Sequence, residues 1–236
     1  MDKWLYLLIN LGAISIPFIS SFDRRLRFDK QWRFAVPAMI LSMLVFIPWD
    51  MAKTDMGVWG FNPRYLTGAY IGNLPVEEWL FFIAIPYACV FTYHSLNYLI
   101  KKDILGRLAG ILALVLASGL VLIGLANLDK LYTSVTFISA GLFLFLHYFI
   151  IRTNYLGRFF LMYFATLIPF FIVNGILTGS FIPEEIVFYN DSQNLGIRLG
   201  TIPVEDMVYG LLMLLMNITW FEFLKTRKEK KLNENY

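Results

Sequence analysis

The sequence predicts an all-α integral membrane protein with about seven transmembrane helices. Of its 236 residues, 58% are hydrophobic and 16% are charged, whereas about one quarter are charged in ordinary soluble domains. The apolar residues also gather in seven long runs, each long enough to cross a hydrocarbon core of about 30 Å. Lipid offers backbone polar groups no water, so such runs are expected to be helices.

The seven runs are approximate at their ends. The first follows a short polar start without a small-residue cleavage site, so we expect it to remain as a helix. The runs are Trp4–Ser20, Trp32–Trp49, Trp79–Ile100, Leu108–Leu128, Thr133–Ile151, Phe159–Leu177 and Met207–Leu224.

Basic residues are distributed unequally between alternate loops. Of the 20 lysines and arginines, 15 lie around the loops after the first, third and fifth runs or in the C-terminal tail. Basic loops tend to stay in the cytoplasm. We therefore predict a multi-pass protein of the cell (inner) membrane, with its N-terminus outside and its C-terminus in the cytoplasm.

One acidic motif occurs twice. Residues 72–78 (Gly-Asn-Leu-Pro-Val-Glu-Glu) are followed 128 positions later by residues 200–206 (Gly-Thr-Ile-Pro-Val-Glu-Asp), and each copy opens an apolar run. Proline suits a first helical turn and carboxylates complement the helix dipole there, so helix capping is the simplest interpretation. Two adjacent acids at the edge of a bilayer, present twice, favour a chemical role, because ionisable groups at membrane depth are costly and commonly functional.

The predicted topology places both motifs at the start of helices that run inward. A direct tandem copy of three helices would be inverted, but an extra helix restores the orientation. We therefore predict two parallel three-helix repeats. Repeat A is 1–104, a linker helix is 105–130, repeat B is 131–225, and a basic cytoplasmic tail is 226–236. Small residues of the linker helix, including Gly106 and Gly110, suit close helix packing.

The paired acids suggest proton transfer. Neighbouring helical residues point about 100° apart, so one acid of each pair can face the bundle interior. Burial and a nearby carboxylate both favour the protonated form, which can then give a proton to a weak base. Aromatic neighbours such as Trp79 and Phe82 attract cations without adding to them. A reaction through a carbocation fits this combination.

The doubled motif, the parallel repeats and residues 174–179 (Asn-Gly-Ile-Leu-Thr-Gly) resemble the membrane-integral lycopene cyclases. These are the heterodimer-type bacterial carotenoid cyclases, and the chain looks like their fused two-repeat form. The resemblance implies carotenoid biosynthesis by a lycopene β-cyclase, an isomerase-class intramolecular lyase. An acid protonates the terminal double bond of linear lycopene, the neighbouring double bond closes a ring, and a base removes a ring proton. The implied products are γ- or β-carotene.

The resemblance also implies site residues. The acid and base roles are not assigned, but glutamate recurs at the first acidic position of both motifs, so we favour Glu77 and Glu205 as acids. Long loops should lie over the outer mouth of the site. The implied catalytic residues are Glu77, Glu78, Glu205 and Asp206, and the substrate-pocket candidates are Pro75, Trp79, Phe82, Pro203, Asp50 and Asn174.

No cofactor is evident from the sequence. There is no glycine-rich dinucleotide motif after a strand, so we predict no Rossmann flavin site. The single cysteine, Cys89, leaves no Cys-based metal site, and we expect no metal. The expected partners are a hydrophobic carotenoid substrate (lycopene) and the lipid bilayer, with no nucleic acid; a homo-oligomer is left open.

Two other functions stay open. A small membrane transporter can have parallel repeats, although transporters place polar segments near the membrane midplane and these acids lie near helix ends. A non-catalytic carotenoid-binding membrane protein could use the same apolar groove. The sequence does not distinguish one cyclised end from two, a β ring from γ or ε, or a fifty-carbon substrate.

Overall fold

The computed structural model describes residues 2–151 and 154–233. Within these ranges, seven helices are long and apolar enough to span a membrane, which confirms the all-α fold class. The last three residues of the predicted tail, 234–236, lie outside the described part. The helices are α1 (Leu5–Ser20), α2 (Trp32–Asp55), α3 (Val76–Leu99), α4 (Gly106–Ala126), α5 (Leu131–Leu146), α6 (Leu156–Leu177) and α7 (Val204–Asn233).

Two helices continue well past their predicted runs, since α7 ends at Asn233 and not at Leu224, and α2 ends at Asp55 and not at Trp49. The added turns of α2 hold two buried polar residues, Asp50 and Lys53. In that segment the Lys53 ammonium donates to the carbonyl of Leu131, 3.2 Å away. The motif proline does not lie in the first turn of α3, as the sequence suggested. Pro75 precedes that turn in an extended conformation.

The long loops are structured as two-stranded antiparallel ribbons. In each motif a two-residue turn begins with a glycine, Gly72 or Gly200, whose φ of +67° favours glycine. The turn carries the chain into the strand that leads directly into the helix. The paired strands are β1 (Trp59–Phe61) with β4 (Val187–Tyr189), β2 (Tyr70–Ile71) with β3 (Leu74–Pro75), and β5 (Arg198–Leu199) with β6 (Ile202–Pro203).

The ribbon of β1 and β4 joins the loops of the two halves. Its register places Gly60 opposite Phe188, two positions separated by 128 residues, the same offset as between the two motifs. An antiparallel pair in which equivalent positions face each other has a local two-fold axis. The ribbon therefore has the symmetry expected of parallel repeats, and both acidic motifs lie on its side of the bundle, the acid-motif face.

Helix packing brings the two halves into extensive contact. Helix α2 packs chiefly against α7, while α3 packs against α1 and α6. Helix α4 lies along α5 through small residues, with Ala113 and Ala117 fully buried, whereas Gly106 is exposed. The repeat boundaries themselves stay a prediction.

The α4–α5 contact provides a stability test. A Cβ at Gly141 would lie 2.6 Å from Val121 Cγ2 and 2.8 Å from the Ala117 carbonyl oxygen, whereas one at Gly119 would meet nothing within 4 Å. Gly141→Ala should therefore lower the melting temperature of the detergent-solubilised protein, through overpacking of about 1–3 kcal/mol. Gly119→Ala should not lower it, because alanine is the better helix former. Equal melting temperatures would contradict this contact.

Candidate active site

The first acid of each motif anchors the loop before it. The Thr67 N–H donates to Glu77 Oε1 at 2.7 Å, and the Leu195 N–H donates to Glu205 Oε1 at 2.8 Å. Each donor lies ten residues before its acceptor. Both glutamates are fully buried, and Thr133 also donates to Glu205 Oε1, at 2.6 Å. The two residues therefore hold the acidic motifs to their loops in the same way.

The second acid of each motif faces a common cavity. Glu78 and Asp206 line a space of about 640 Å³, and Asp50 from α2 lines it as well. The change of about 100° between successive helical residues explains why adjacent acids have different surroundings. Two of the four predicted catalytic carboxyl groups and two predicted pocket residues, Asp50 and Asn174, are thus brought together.

Asp206 is surrounded by hydrogen-bond donors. The Tyr132 hydroxyl donates to Oδ1 at 2.6 Å. The Asn174 amide and the Tyr189 hydroxyl donate to Oδ2 at 2.7 and 2.9 Å. An ionised carboxylate only accepts hydrogen bonds, so this set of partners suits ionised Asp206. In the loop, burial and the Asp206 charge raise the pKa of Tyr189 well above its usual range, which keeps its hydroxyl protonated as a donor.

Glu78 and Asp50 have fewer partners. The Tyr6 hydroxyl donates to Glu78. Trp59 Nε1 donates to Asp50 Oδ1 at 2.6 Å, while the buried Oδ2 has no hydrogen-bond partner among the described residues. Glu78 also interacts electrostatically with both Asp50 and Asp206. Three carboxyl groups so arranged in an apolar cavity repel one another least when protons are shared among them.

Aromatic rings form the wall beside these carboxyl groups. The Trp59 ring centroid lies 5.0 Å from that of Tyr132 and 6.3 Å from those of Tyr189 and Tyr209. The Tyr209 hydroxyl is buried without a hydrogen-bond partner in the described residues. Aromatic faces attract cations, so this wall can stabilise positive charge next to the acids.

The rest of the cavity is long and apolar. Along α3 its lining runs from Glu78 to Thr92, about 21 Å at 1.5 Å per residue. The deeper part is lined by side chains such as Ile85, Leu167 and Met213. An elongated hydrophobic ligand, with one end at the carboxyl groups, fits this shape and chemistry.

Four of the six predicted substrate-pocket residues lie outside the lining of this cavity. Of the six, Asp50 and Asn174 face the cavity. Pro75 and Pro203 lie in the ribbons before the helices. The Trp79 indole donates to a backbone carbonyl at 3.3 Å, and Phe82 is buried in the core.

Sequence reasoning missed five residues around the carboxyl groups, four that donate hydrogen bonds to them and one, Tyr209, that lines the cavity beside them. A signal was present for two of them, because Leu5-Tyr6 and Leu131-Tyr132 begin equivalent helices of the two halves. The others reach the site from loops or from the second turn of α7, where spacing gives no sign of them. The missed residues are Tyr6, Trp59, Tyr132, Tyr189 and Tyr209.

The fold and the site define a multi-span membrane protein with carboxyl groups at one end of an elongated apolar cavity. A family model described as lycopene cyclase matches residues 3–96 and 129–224. These regions make up most of the chain and include both motifs, so the chain belongs to the lycopene cyclase family, in a fused two-repeat form. Comparison with curated proteins and with solved structures found no match. Membership supports an enzyme of carotenoid cyclisation with a hydrophobic carotenoid substrate.

The stability of alanine variants can distinguish the different roles of the two adjacent acids. Glu77→Ala and Glu205→Ala should each destabilise the protein by about 1–3 kcal/mol, because a buried backbone N–H loses its acceptor. Glu78→Ala is the matched truncation and should cost less, because Glu78 lines a cavity. Melting temperatures in detergent measure the difference. A larger loss for Glu78→Ala would contradict the proposed division between anchoring and cavity-lining acids.

Proposed function

We propose that the chain is a lycopene β-cyclase that closes the linear end of lycopene into a β-ionone ring. The observation that carries the proposal is the meeting of Asp50, Glu78 and Asp206 in one apolar, aromatic-walled cavity of a lycopene cyclase family member. A hydrocarbon substrate offers no polar group to bind. Proton transfer to and from carbon is therefore the chemistry that these carboxyl groups can perform on it.

Glu78, supported by Asp50, is proposed as the general acid. Both face the cavity, whereas Glu77 and Glu205, favoured from the sequence, are occupied by backbone N–H groups of the loops. The proton adds to the terminal double bond of the substrate and leaves a tertiary cation. The neighbouring double bond then attacks that cation, one carbon–carbon bond forms, and the positive charge moves into the new ring beside the aromatic wall.

Asp206 is proposed as the base. Its three donors suit an ionised carboxylate, which can accept the ring proton whose loss forms the β double bond. One proton enters the substrate and one leaves, so the substrate and product are isomers. The reaction is redox-neutral, and the absence of a flavin stays a prediction.

A single site shared by both halves is proposed. The cavity holds Glu78 from one motif and Asp206 from the other, so neither half supplies the full set of carboxyl groups. The two ends of lycopene would then react in succession, with monocyclic γ-carotene as the intermediate and β-carotene as the final product.

The proposed orientation has the acid-motif face outside. Two arginines of that face are neutralised, since Arg64 pairs with Asp2 and Glu184, and Arg198 pairs with Asp191. This pairing adds to the charge asymmetry seen in the sequence and supports the proposal that the C-terminus lies on the cytoplasmic side of the cell membrane. The homo-oligomer stays a prediction.

Expression in bacteria that accumulate lycopene tests the activity. The wild-type chain should convert lycopene to γ- and then β-carotene, identified by chromatography. Glu78→Gln and Asp206→Asn should each lower conversion by at least about 100-fold, because each removes a proton-transfer group. Asp129→Asn is the control, since Asp129 is an exposed acid on the same face outside the cavity.

Three outcomes of this assay would contradict the proposal. Unchanged lycopene with membrane-inserted wild-type protein would contradict the cyclase activity. Full activity of both cavity variants would contradict their roles as acid and base. Unchanged lycopene that co-purifies with the wild-type protein would indicate a carotenoid-binding protein without turnover.

The proton balance gives a second, independent test. In D₂O, a carboxyl acid exchanges with solvent before it protonates the substrate, so each ring closed should retain one deuterium. Mass spectrometry should therefore show γ-carotene with one added deuterium and β-carotene with two. Products without deuterium would rule out protonation by a solvent-exchanged acid, and a change in hydrogen number would rule out an isomerisation.

A further inference from the structure

The cavity has an opening toward the lipid. Among the described residues that line it, four are exposed, and all four lie on α1 or α6. On α1 these are Gly12 and Ile16, whose side chain is 73% exposed. On α6 they are Pro169 and Ile172, whose side chain is 59% exposed. Residues that are both lining and exposed mark the place where the cavity reaches the protein surface.

Three of the four residues lie at similar depths below the ends of their helices. Gly12 is about 10 Å below the start of α1, and Ile172 and Pro169 are about 8 and 12 Å below the end of α6, at 1.5 Å per residue. Ile16 lies deeper on α1. The opening is thus within the hydrocarbon core, which is about 30 Å thick, and not in the headgroup region.

The packing of α1 leaves this opening. Helix α1 packs extensively against α3 but has little contact with α6. A Cβ added to Gly12 would have no neighbour within 4 Å, so the glycine faces open space. At the acid-motif face, in contrast, Trp59, Phe61 and Tyr189 of the β1–β4 ribbon line the cavity. Helices α1 and α6 therefore leave a lateral route at a depth where lipid surrounds the protein.

We propose that the carotenoid reaches the carboxyl groups sideways from the bilayer, between α1 and α6, and that the half not undergoing cyclisation remains in this opening. This rests on the proposed function. One end of the linear hydrocarbon lies at Glu78 and Asp206 while the other needs an apolar place to lie. Gly12, Ile16, Pro169 and Ile172 provide it, continuous with the cavity and open to acyl chains.

Tryptophan substitutions at the opening test the route. In proteoliposomes preloaded with lycopene, Gly12→Trp and Ile172→Trp should lower the initial rate of cyclisation by at least about tenfold, because they obstruct access to the site. Matched controls are Leu11→Trp and Ile168→Trp, which alter exposed residues of the same helices, 52% and 72% exposed, outside the lining. The controls should stay within about twofold of the wild-type rate. Wild-type rates in both opening variants, or equal losses in the controls, would overturn the route.

A second measurement does not depend on cyclase activity. An apolar diazirine dissolved in the bilayer should photolabel Cys89 and Met213, which line the cavity but are only 6% and 2% exposed. Gly12→Trp should reduce that labelling, measured by mass spectrometry, while Leu11→Trp should not. Labelling without cyclisation would reject the proposed function and keep the lateral opening. Absence of labelling in the wild-type protein, with normal labelling of lipid-facing residues, would overturn the opening.

Discussion

The structure depends on keeping three carboxyl groups inside an apolar membrane protein. An unpaired polar group in such surroundings is costly, and ionisable groups are more so. Asp206 meets this constraint with three donors, whereas Glu78 and Asp50 each accept one hydrogen bond from an aromatic side chain. The donors come from α1, α5, α6 and the two long loops. The ribbon between those loops is therefore part of the site, since without Trp59 and Tyr189 two of the three acids would lose a partner.

Helix geometry gives the two adjacent acids of each motif different surroundings. The backbone donors of the loops reach Glu77 and Glu205, while the next residue in each motif turns into the cavity. The first acid of each motif therefore holds the preceding loop and does not cap its helix, while the second acid is the candidate for chemistry. A motif with a single acid could hold the loop or supply a proton-transfer group, but not both. This explains why each copy has two.

The sequence predicted the helices well because membrane spans have a strong composition signal, and it located the acidic motif because the motif is repeated. It could not show which acid faces the cavity, because a difference of 100° leaves two choices and both residues are carboxylic acids. The preference for Glu77 and Glu205 rested on identity between the repeats, but identity there reflects the same backbone donors at Thr67 and Leu195. Trp59 and Tyr189 could not be predicted as site residues, because a pairing between two loops fixes their positions.

The two halves each begin a helix with a pair of acids but differ in the side chain that lies beside the second acid. Near the end of α2, Asp50 adds a carboxyl group beside Glu78, while near the end of α6 Asn174 adds an amide donor to Asp206. One side thus places two acids together, and the other surrounds a single acid with donors that suit its ionised form. A cyclisation that begins with proton donation and ends with proton removal needs this inequality. Under the proposed mechanism, the difference between these two positions allows one cavity to perform both steps.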